Sequence, residues 1–239
     1  MKRKQAVLAG LLASYGLVPL LFGSNHYIMS MVVAALVIGG VALSWALLGN
    51  LGGMVSFGHS AFFGVGAYTS AIVSMKLGLP VPLAMLLGGC GAVIASVAML
   101  PVLRLRGPYF ALAILAYAHI FRILATEWKP VTGGAAGIAN IPRLPELLGV
   151  DWGSKMGNYW VILSLVVALA WVYQLIRKSH YGLALRAMHE SEDATRVVGV
   201  NSTLLKGLML VVSAFMCGLV GAFNAHLSLI HISEPTRPY

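Results

Sequence analysis

Stretches of about 20 mostly apolar residues recur along this chain, and this pattern restricts its fold more than any other feature. A bilayer core about 30 Å thick takes about 20 apolar residues of helix to cross. Seven such stretches lie at 5–23, 27–49, 54–75, 80–103, 108–126, 159–176 and 204–227. We therefore predict an all-α fold, a polytopic transmembrane helical bundle with about seven spans.

The composition excludes a soluble fold of this size. Of the 239 residues, 59% are hydrophobic and only 10% are charged, and the mean hydropathy is +0.86. Soluble domains carry about 25% charged residues. A water-exposed globule could not bury so much apolar surface.

The net charge of +9 at pH 7 raises the question of nucleic acid binding. With a cytoplasmic N-terminus, ten of the sixteen Lys and Arg residues fall in inner connections. The outer connections hold Lys76, Lys129, Arg143 and Lys155. This positive-inside distribution predicts a multi-pass protein of the bacterial inner membrane with its N-terminus in the cytoplasm. No basic cluster remains to bind nucleic acid.

The first apolar stretch follows Lys2, Arg3 and Lys4, so it also fits a cleaved secretory signal peptide. No A-x-A cleavage site precedes Asn25. Removing the stretch would also invert the charge distribution of every later connection. We therefore interpret it as the first span.

Small residues follow helical stripes along the third and fourth spans. The stripes consist of Ser56, Ser60, Gly64, Ala67 and Ala71 in the third span and of Ala84, Gly88, Ala92 and Ser96 in the fourth. Because small residues let helices approach closely, these spans are predicted to pack together or to line a cavity. The glycines in and before the third span also permit a broken or re-entrant helix.

The loop 177–203 differs from the other connections because it has helical periodicity. The apolar residues Leu183, Ala187, Ala194 and Val198 fall on one face, and Gly199 follows as a helix stop. We predict a cytoplasmic amphipathic helix over about 182–199. Its mixed charges and small apolar residues favour a protein partner over lipid.

Four sequence segments carry the strongest functional information. Residues 193–199, DATRVVG, follow an E-A-A-x-x-x-G pattern with two departures, and they end the stretch that begins with HYGLALRAMHESE at 180–192. The others are SFGHSAFFGVGAY at 56–68, LRLRGPYFA at 103–111 and TGGAAGI at 132–138. Together they resemble ABC importer permeases of the branched-chain amino-acid type, specifically the longer permease subunit type.

This resemblance implies a heterodimer with a second permease subunit, two cytoplasmic ATPase subunits and a periplasmic substrate-binding protein. The E-A-A-like helix would couple to an ATPase subunit through Gly182, Arg186, Ala187, Glu190, Asp193, Ala194 and Gly199. Substrate-path candidates in the glycine-rich segment are Ser56, His59, Ser60, Gly64 and Tyr68, with a packing role as the alternative for His59.

The chain is not expected to be an enzyme. It lacks a G-x-x-x-x-G-K-[ST] phosphate loop, so ATP would be used by the partner ATPase subunits. We predict no catalytic residue, no metal site and no cofactor bound by this chain. Cys90 and Cys217 fall within spans and are interpreted as small apolar filler.

Residues 1–228 are predicted to form a single transmembrane permease domain, incomplete at the C-terminus. Residues 229–239, IHISEPTRPY after Leu229, are polar, contain two prolines and do not resemble the family. We expect a truncated chain with a non-native tail.

Two other functions stay open. One is an ion-coupled secondary transporter or channel for a small polar solute, which would need carboxylates near mid-membrane, where none of the seven Asp and Glu residues lies. The other is an ABC permease for urea or short amides. Arg122 is the only cation that lies clearly within the membrane, away from the end of a predicted span, and we expect it to reach the interface or to pair with Glu127.

Overall fold

The computed structural model describes residues 25–227, except 106 and 148–149, together with Pro19. The predicted first span, apart from Pro19, and the tail at 229–239 lie outside the described residues. Within the described part the chain is almost entirely helical. The helices are α1 (His26–Ala46), α2 (His59–Lys76), α3 (Val81–Ala98), α4 (Pro108–Glu127), α5 (Lys129–Thr132), α6 (Lys155–Lys178), α7 (His180–Glu190), α8 (Glu192–Val197) and α9 (Ser202–His226).

Five helices of the described residues are long and apolar enough to cross a membrane. They correspond to α1 with the π-helical turn Leu47–Leu51 that follows it, α3, α4, α6 and α9. The predicted third span is the helix α2, which has 18 residues but falls short of this hydropathy because it begins with His59, ends with Lys76 and is rich in small and hydroxyl residues. Six of the seven predicted stretches are thus helical, and five of these helices are long and apolar enough to cross a membrane.

The bundle is built around α2, α3 and α9, which contact one another along most of their length. Glycines lie where these helices come closest. A Cβ atom on Gly66 of α2 would collide with the carbonyl oxygen of Gly218 in α9, and one on Gly88 of α3 would lie 2.7 Å from the carbonyl oxygen of Gly66. We call the contact at which Gly66, Gly88 and Gly218 join these three helices the glycine seam. Such close approach is possible only without side chains.

The small-residue stripe predicted on the fourth span is confirmed as a packing face. Ala84, Gly88, Ala92 and Ser96 are all buried in α3. The stripe predicted on α2 does not form a single buried face. Ser60 of the stripe is exposed, and the buried face of α2 includes Gly66 and Ser70, which are not part of the stripe.

The remaining long helices lie around this centre. α1 packs against α6 and more lightly against α9, and α4 packs lightly against α2. Few residues of α4 and α6 are therefore buried within the described part of the chain. In a membrane these apolar faces would meet lipid, further spans or a partner.

The chain between α1 and α2 folds back on the end of α1 without making a re-entrant helix. Gly53 adopts a positive φ of 65°, and the indole Nε1 of Trp45 donates a hydrogen bond of 2.8 Å to the carbonyl oxygen of Ser56. The helix α2 then begins at His59 and runs unbroken through Gly64 and Gly66. Gly53 serves the turn, and Gly66 serves close packing.

The prediction of one amphipathic helix over 182–199 is wrong, because the structure has two. Ser191 is extended, with φ −156° and ψ 108°, and separates α7 from α8. Its side chain caps α8 by accepting a hydrogen bond from the N–H of Ala194. Glu192 and Asp193 follow in the first turn, where acidic residues stabilise a helix start. The local capping signal thus outweighs the longer periodicity.

The connection between α4 and α6 carries α5, a 3₁₀ turn at Gly134–Ala136 and a small antiparallel pair of strands. The strands are β1 (Glu146–Leu147) and β2 (Val150–Asp151). This connection contacts the last turn of α9 through a hydrogen bond of 2.7 Å between Nδ1 of His226 and the carbonyl oxygen of Pro142. It therefore lies at the same end of the bundle as the C-terminal end of α9.

Candidate functional site

A cavity of about 530 Å³ opens between α2 and α4. Part of its wall comes from the glycine-rich segment of α2, where Ser60, Gly64 and Tyr68 follow one another at intervals of four residues and so share one helix face. The opposite wall comes from α4 and α5. Its members are Leu115, Ala118, His119, Phe121, Arg122, Leu124, Ala125, Thr126, Trp128, Val131 and Thr132.

Gly64 leaves room in this cavity. A Cβ atom at Gly64 would meet nothing within 4 Å, so this glycine is not required by packing. Two residues further along, Gly66 faces the opposite way into the glycine seam. The two faces of α2 therefore differ: one holds the bundle together and the other borders open space.

Two basic side chains line the cavity, His119 and Arg122, which lie one helical turn apart on α4. No Asp or Glu occurs among the lining residues. Within the described residues the expected ion pair between Arg122 and Glu127 does not form, although both side chains are exposed. The cavity thus combines a mainly apolar wall with a guanidinium group that has no carboxylate partner in the described part of the chain.

The other two substrate-path candidates lie away from this cavity. Ser56 is buried before the start of α2, where its Oγ accepts a hydrogen bond of 3.4 Å from the N–H of Gly58. His59 is also buried, and its Nε2 lies 2.7 Å from Oγ of Ser213 in α9. The geometry of His59 is that of the packing role considered from the sequence.

The hydrogen bonds around His59 determine its tautomer. The hydroxyl of Ser213 donates to the carbonyl oxygen of Ser44 in α1 over 2.7 Å. A hydroxyl has one hydrogen, so Nε2 of His59 must be the protonated nitrogen and donate to Ser213. The same histidine offers its backbone carbonyl to the thiol of Cys217, at 3.2 Å. These contacts connect α1, α2 and α9 inside the bundle.

A second buried histidine has the opposite tautomer. Because Nδ1 of His226 faces the carbonyl oxygen of Pro142, that nitrogen must donate. Its Nε2 then accepts from the hydroxyl of Ser70 in α2, at 2.8 Å. This pair fixes the end of α9 against α2 and against the connection that follows α5.

The predicted coupling residues lie at the opposite end of the bundle. Gly182 is buried at the corner between α6 and α7, where a Cβ atom would collide with the carbonyl oxygen of Ile176. Gly199 has a φ of 93°, the conformation expected of a helix stop. The remaining five are exposed: Arg186, Ala187, Glu190, Asp193 and Ala194.

Apolar side chains accompany these exposed residues. Leu183 is 68% exposed, Val197 88% and Val198 82%. On the opposite face of α7, Leu185 and Met188 are buried in the core. The pair α7–α8 therefore has one face anchored in the bundle and another with unpaired apolar residues among charges.

A carboxylate connects α8 to the membrane helix α9. Oε2 of Glu192 lies 2.8 Å from Nζ of Lys206, and Oε1 lies 2.8 Å from Nη2 of Arg196. Arg196 in turn donates from Nε to Oγ of Ser202 over 2.8 Å. Burial raises the pKa of Glu192, but hydrogen bonds from Lys206 and Ser202 and the charges of Lys206 and Arg196 outweigh it and leave the pKa below its ordinary value of 4.5.

Beside this ion pair is a second cavity, of about 410 Å³. It is lined by the connections that precede α2 and α4, by the first turn of α4, by α7 and α8 and by Lys206, which places these segments at one end of the bundle. The lining residues are Gly52, Gly53, Met54, Val55, Leu105, Gly107, Pro108, Phe110, Ala111, Met188, His189, Glu192 and Lys206.

Comparison with known proteins identifies the class of this chain. Residues 27–234 match the family described as "Branched-chain amino acid transport system / permease component". The chain belongs to this permease family. It is a multi-pass membrane protein.

Individual relatives agree with the family match. The chain is 30% identical over 203 residues to the "High-affinity branched-chain amino acid transport system permease protein LivM" of Salmonella typhimurium, an alignment that covers 74% of this chain and 47% of the relative. The LivM protein of Escherichia coli K12 is 30% identical over 200 residues, with the same coverage of both chains. A probable LivM of Methanocaldococcus jannaschii is 23% identical over 176 residues, covering 72% of this chain and 50% of the relative.

The chain thus spans about half the length of the curated relatives that it matches. No solved structure matches it. The family match bears out the resemblance noted in the sequence, and it extends a few residues into the segment 229–239.

Sequence reasoning did not assign the wall of the cavity formed by α4 and α5. Leu115, Ala118, Arg122 and Ala125 do recur at intervals of three and four residues, which is the signal of one helix face. That face could not be told from a lipid-facing one, because α4 is apolar on most sides and Arg122 lies near its end, where it could also reach the interface. Only the position of α4 beside α2 makes it the wall of a cavity.

Proposed function

We propose that this chain is the transmembrane permease subunit of an ATP-driven importer for branched-chain amino acids. The observation that carries the proposal is the exposed apolar and charged face of α7–α8, which Glu192 and Lys206 connect directly to the membrane helix α9. An ATPase subunit seated on this face would act on α9 through a short, partly buried ion pair. ATP would be bound and hydrolysed by that partner.

The partners follow from the same proposal. A second permease subunit completes the pore, two cytoplasmic ATPase subunits drive it, and a periplasmic substrate-binding protein supplies the substrate. The LivM relatives are named as permease proteins of a high-affinity branched-chain amino acid transport system, which supports this substrate class. Residues 1–228 act as one membrane domain, with α2 as a further span beside the five of sufficient hydropathy.

The end of the bundle that carries α7–α8 faces the cytoplasm in this proposal, and the membrane is the bacterial inner membrane. Described cations at that end are Arg104, Arg177, Lys178, Arg186, Arg196 and Lys206, whereas the other end has Lys76, Lys129, Arg143 and Lys155. The excess at the first end follows the positive-inside rule. The predicted cytoplasmic N-terminus is consistent with this direction.

The proposal is tested by overpacking the α7–α8 face in a full-length version of the permease, assembled with its partners. Ala194→Trp places an indole where a close contact is proposed, and Gly199→Val places a β-branched residue at a φ of 93°. The double variant should insert normally but lose substrate-stimulated ATP hydrolysis and leucine uptake. Ala139→Trp, at an exposed residue of the opposite end, is the control and should keep both activities.

The same system tests whether the end of the bundle that carries α7–α8 faces the cytoplasm. Ala194→Cys, in a Cys90→Ser background, should resist a membrane-impermeant thiol reagent added outside intact cells and react after the membrane is opened. Normal coupling in the double variant, or labelling of Ala194→Cys from outside, would contradict the proposal. Uptake without any ATPase subunit would favour a secondary transporter, and uptake of urea or short amides alone would change the substrate class.

A further inference from the structure

We propose that Arg122 binds the carboxylate group of the transported solute in the cavity between α2 and α4. This inference rests on the proposed function, because it concerns how that importer would recognise an amino acid within the membrane domain. It assigns to Arg122 a direct contact with substrate and to the cavity of about 530 Å³ the role of a substrate-binding position.

The first argument is the charge of the site. Arg122 lies five residues before the end of α4 at Glu127, about 7.5 Å along the helix axis at 1.5 Å per residue. A guanidinium group in a membrane helix is costly unless an anion or water compensates it. The described residues supply no ion pair to Arg122, and the cavity wall contains no carboxylate. A small anion entering the cavity would therefore meet an unneutralised cation.

The second argument is the chemistry of the remaining wall. Leu115, Phe121, Leu124, Val65 and Ile72 offer an aliphatic and aromatic surface for an apolar side chain. A few polar groups on an apolar wall are typical of small-molecule sites, and the volume is in the usual range of about 300–1,000 Å³. A branched-chain amino acid has both groups that this wall complements, a carboxylate for the guanidinium and an aliphatic side chain for the apolar surface.

The third argument is the geometry of the donor. A guanidinium presents parallel N–H groups that match the two oxygens of a carboxylate, whereas an ammonium group acts as a point charge. His119, one turn earlier on α4, places a second nitrogen on the same wall. From α2, Ser60 and Tyr68 line the same cavity. Residues with hydrogen-bond donors therefore occur on both walls, among apolar residues.

The test measures binding to the membrane domain without the substrate-binding protein, which has a specificity of its own. The full-length permease, assembled with its partner subunits in phosphatidylcholine nanodiscs, is titrated with leucine, with 4-methylpentanoate and with leucinamide. These probes separate the carboxylate from the ammonium group. The variants are Arg122→Gln and Arg122→Lys, and Lys129→Gln is the matched control because Lys129 is a nearby cation that does not line the cavity.

Leucine and 4-methylpentanoate should both bind to the wild-type complex, and leucinamide should bind at least about tenfold more weakly. Because a hydrogen bond to a charged group contributes about 1.5–3 kcal/mol, Arg122→Gln should weaken both carboxylates by about 10- to 150-fold. The affinity of Arg122→Lys for both carboxylates should fall between those of wild type and Arg122→Gln, and the affinity of Lys129→Gln should match wild type. The loss of affinity with unchanged thermal stability separates ligand contact from a structural role.

Four results would overturn the inference. The first is equal affinity of the wild-type complex for leucine and leucinamide, and the second is the absence of carboxylate binding by the wild-type complex. The third is undiminished carboxylate binding by Arg122→Gln. The fourth is loss of a bound phospholipid from Arg122→Gln in native mass spectrometry with leucine affinity unchanged, which would assign the guanidinium to a lipid phosphate. If the wild-type complex binds 4-methylpentanoate through Arg122 but does not import leucine, the proposed function fails and the carboxylate site stands.

Discussion

Nε2 of His59 lies 2.7 Å from Oγ of Ser213, and this contact joins α2 to α9 where neither side chain reaches solvent. The same hydroxyl donates to the backbone of α1 at Ser44. Three helices thus share two hydrogen bonds at one serine. Such a network is costly to break, because each remaining polar group stays buried without a partner.

Replacing Ser213 with alanine should lower the free energy of unfolding by about 1–3 kcal/mol, since Nε2 of His59 and the carbonyl of Ser44 both lose a partner. Unfolding of the purified protein in detergent is the measurement. Ser164→Ala is the control, because the exposed hydroxyl of Ser164 bonds only to the carbonyl of Val161 in its own helix. Equal stability of the two variants would show that the buried network contributes little.

The two glycines of α2 make a matched pair for testing the glycine seam. Gly66→Ala should lower the free energy of unfolding by about 1–3 kcal/mol or more, because its methyl group collides with the backbone of Gly218. Gly64→Ala should be neutral or stabilising by up to about 1 kcal/mol, since its methyl group enters open space and alanine favours the helix. Thermal unfolding of both variants in the same detergent tests this ordering, and a reversed order would be incompatible with the packing described.

The ion pair between Glu192 and Lys206 makes a prediction about pH. Because the pKa of Glu192 is lowered in the fold, its carboxylate stabilises the folded state fully above the ordinary value of 4.5, and this stabilisation is lost as the pH falls through the lowered pKa. Glu192→Gln should therefore be less stable than wild type at pH 7, by up to about 1 kcal/mol, and the difference should shrink on acidification.

Glu190→Gln is the control for this measurement, because Glu190 is an exposed carboxylate at the end of α7 without an ion pair among the described residues. Its stability should follow the wild type at every pH. A difference between Glu192→Gln and wild type that stays constant from pH 7 to the acid limit would mean that the charge of Glu192 does not contribute.

The sequence allowed the helices and one packing face to be predicted, and the reason is their periodicity. The stripe through Ala84, Gly88 and Ala92 has large residues on the other sides of α3, so its small side could be recognised as the contact face. In α2 small residues occur on both sides. Gly64 and Gly66 look alike in the sequence, and only the neighbouring helices determine that one borders a cavity and the other a backbone.

Two other features depended on interactions that periodicity does not report. The break at Ser191 results from a side-chain cap on the N–H of Ala194, a local competition that the apolar pattern over 182–199 conceals. The surroundings of Arg122 depend on the distance between α2 and α4, which are about 50 residues apart in the chain. A guanidinium near the end of an apolar helix could equally have reached the membrane surface.

The glycine seam has a mechanical consequence. At the glycine seam the backbones themselves touch, with no long side chain between them that could change rotamer, so α2, α3 and α9 cannot slide past one another there without losing these contacts. We expect them to move as a rigid body during alternating access. The hinge would then lie between this block and α4, whose light contact with α2 allows the carboxylate position to open and close.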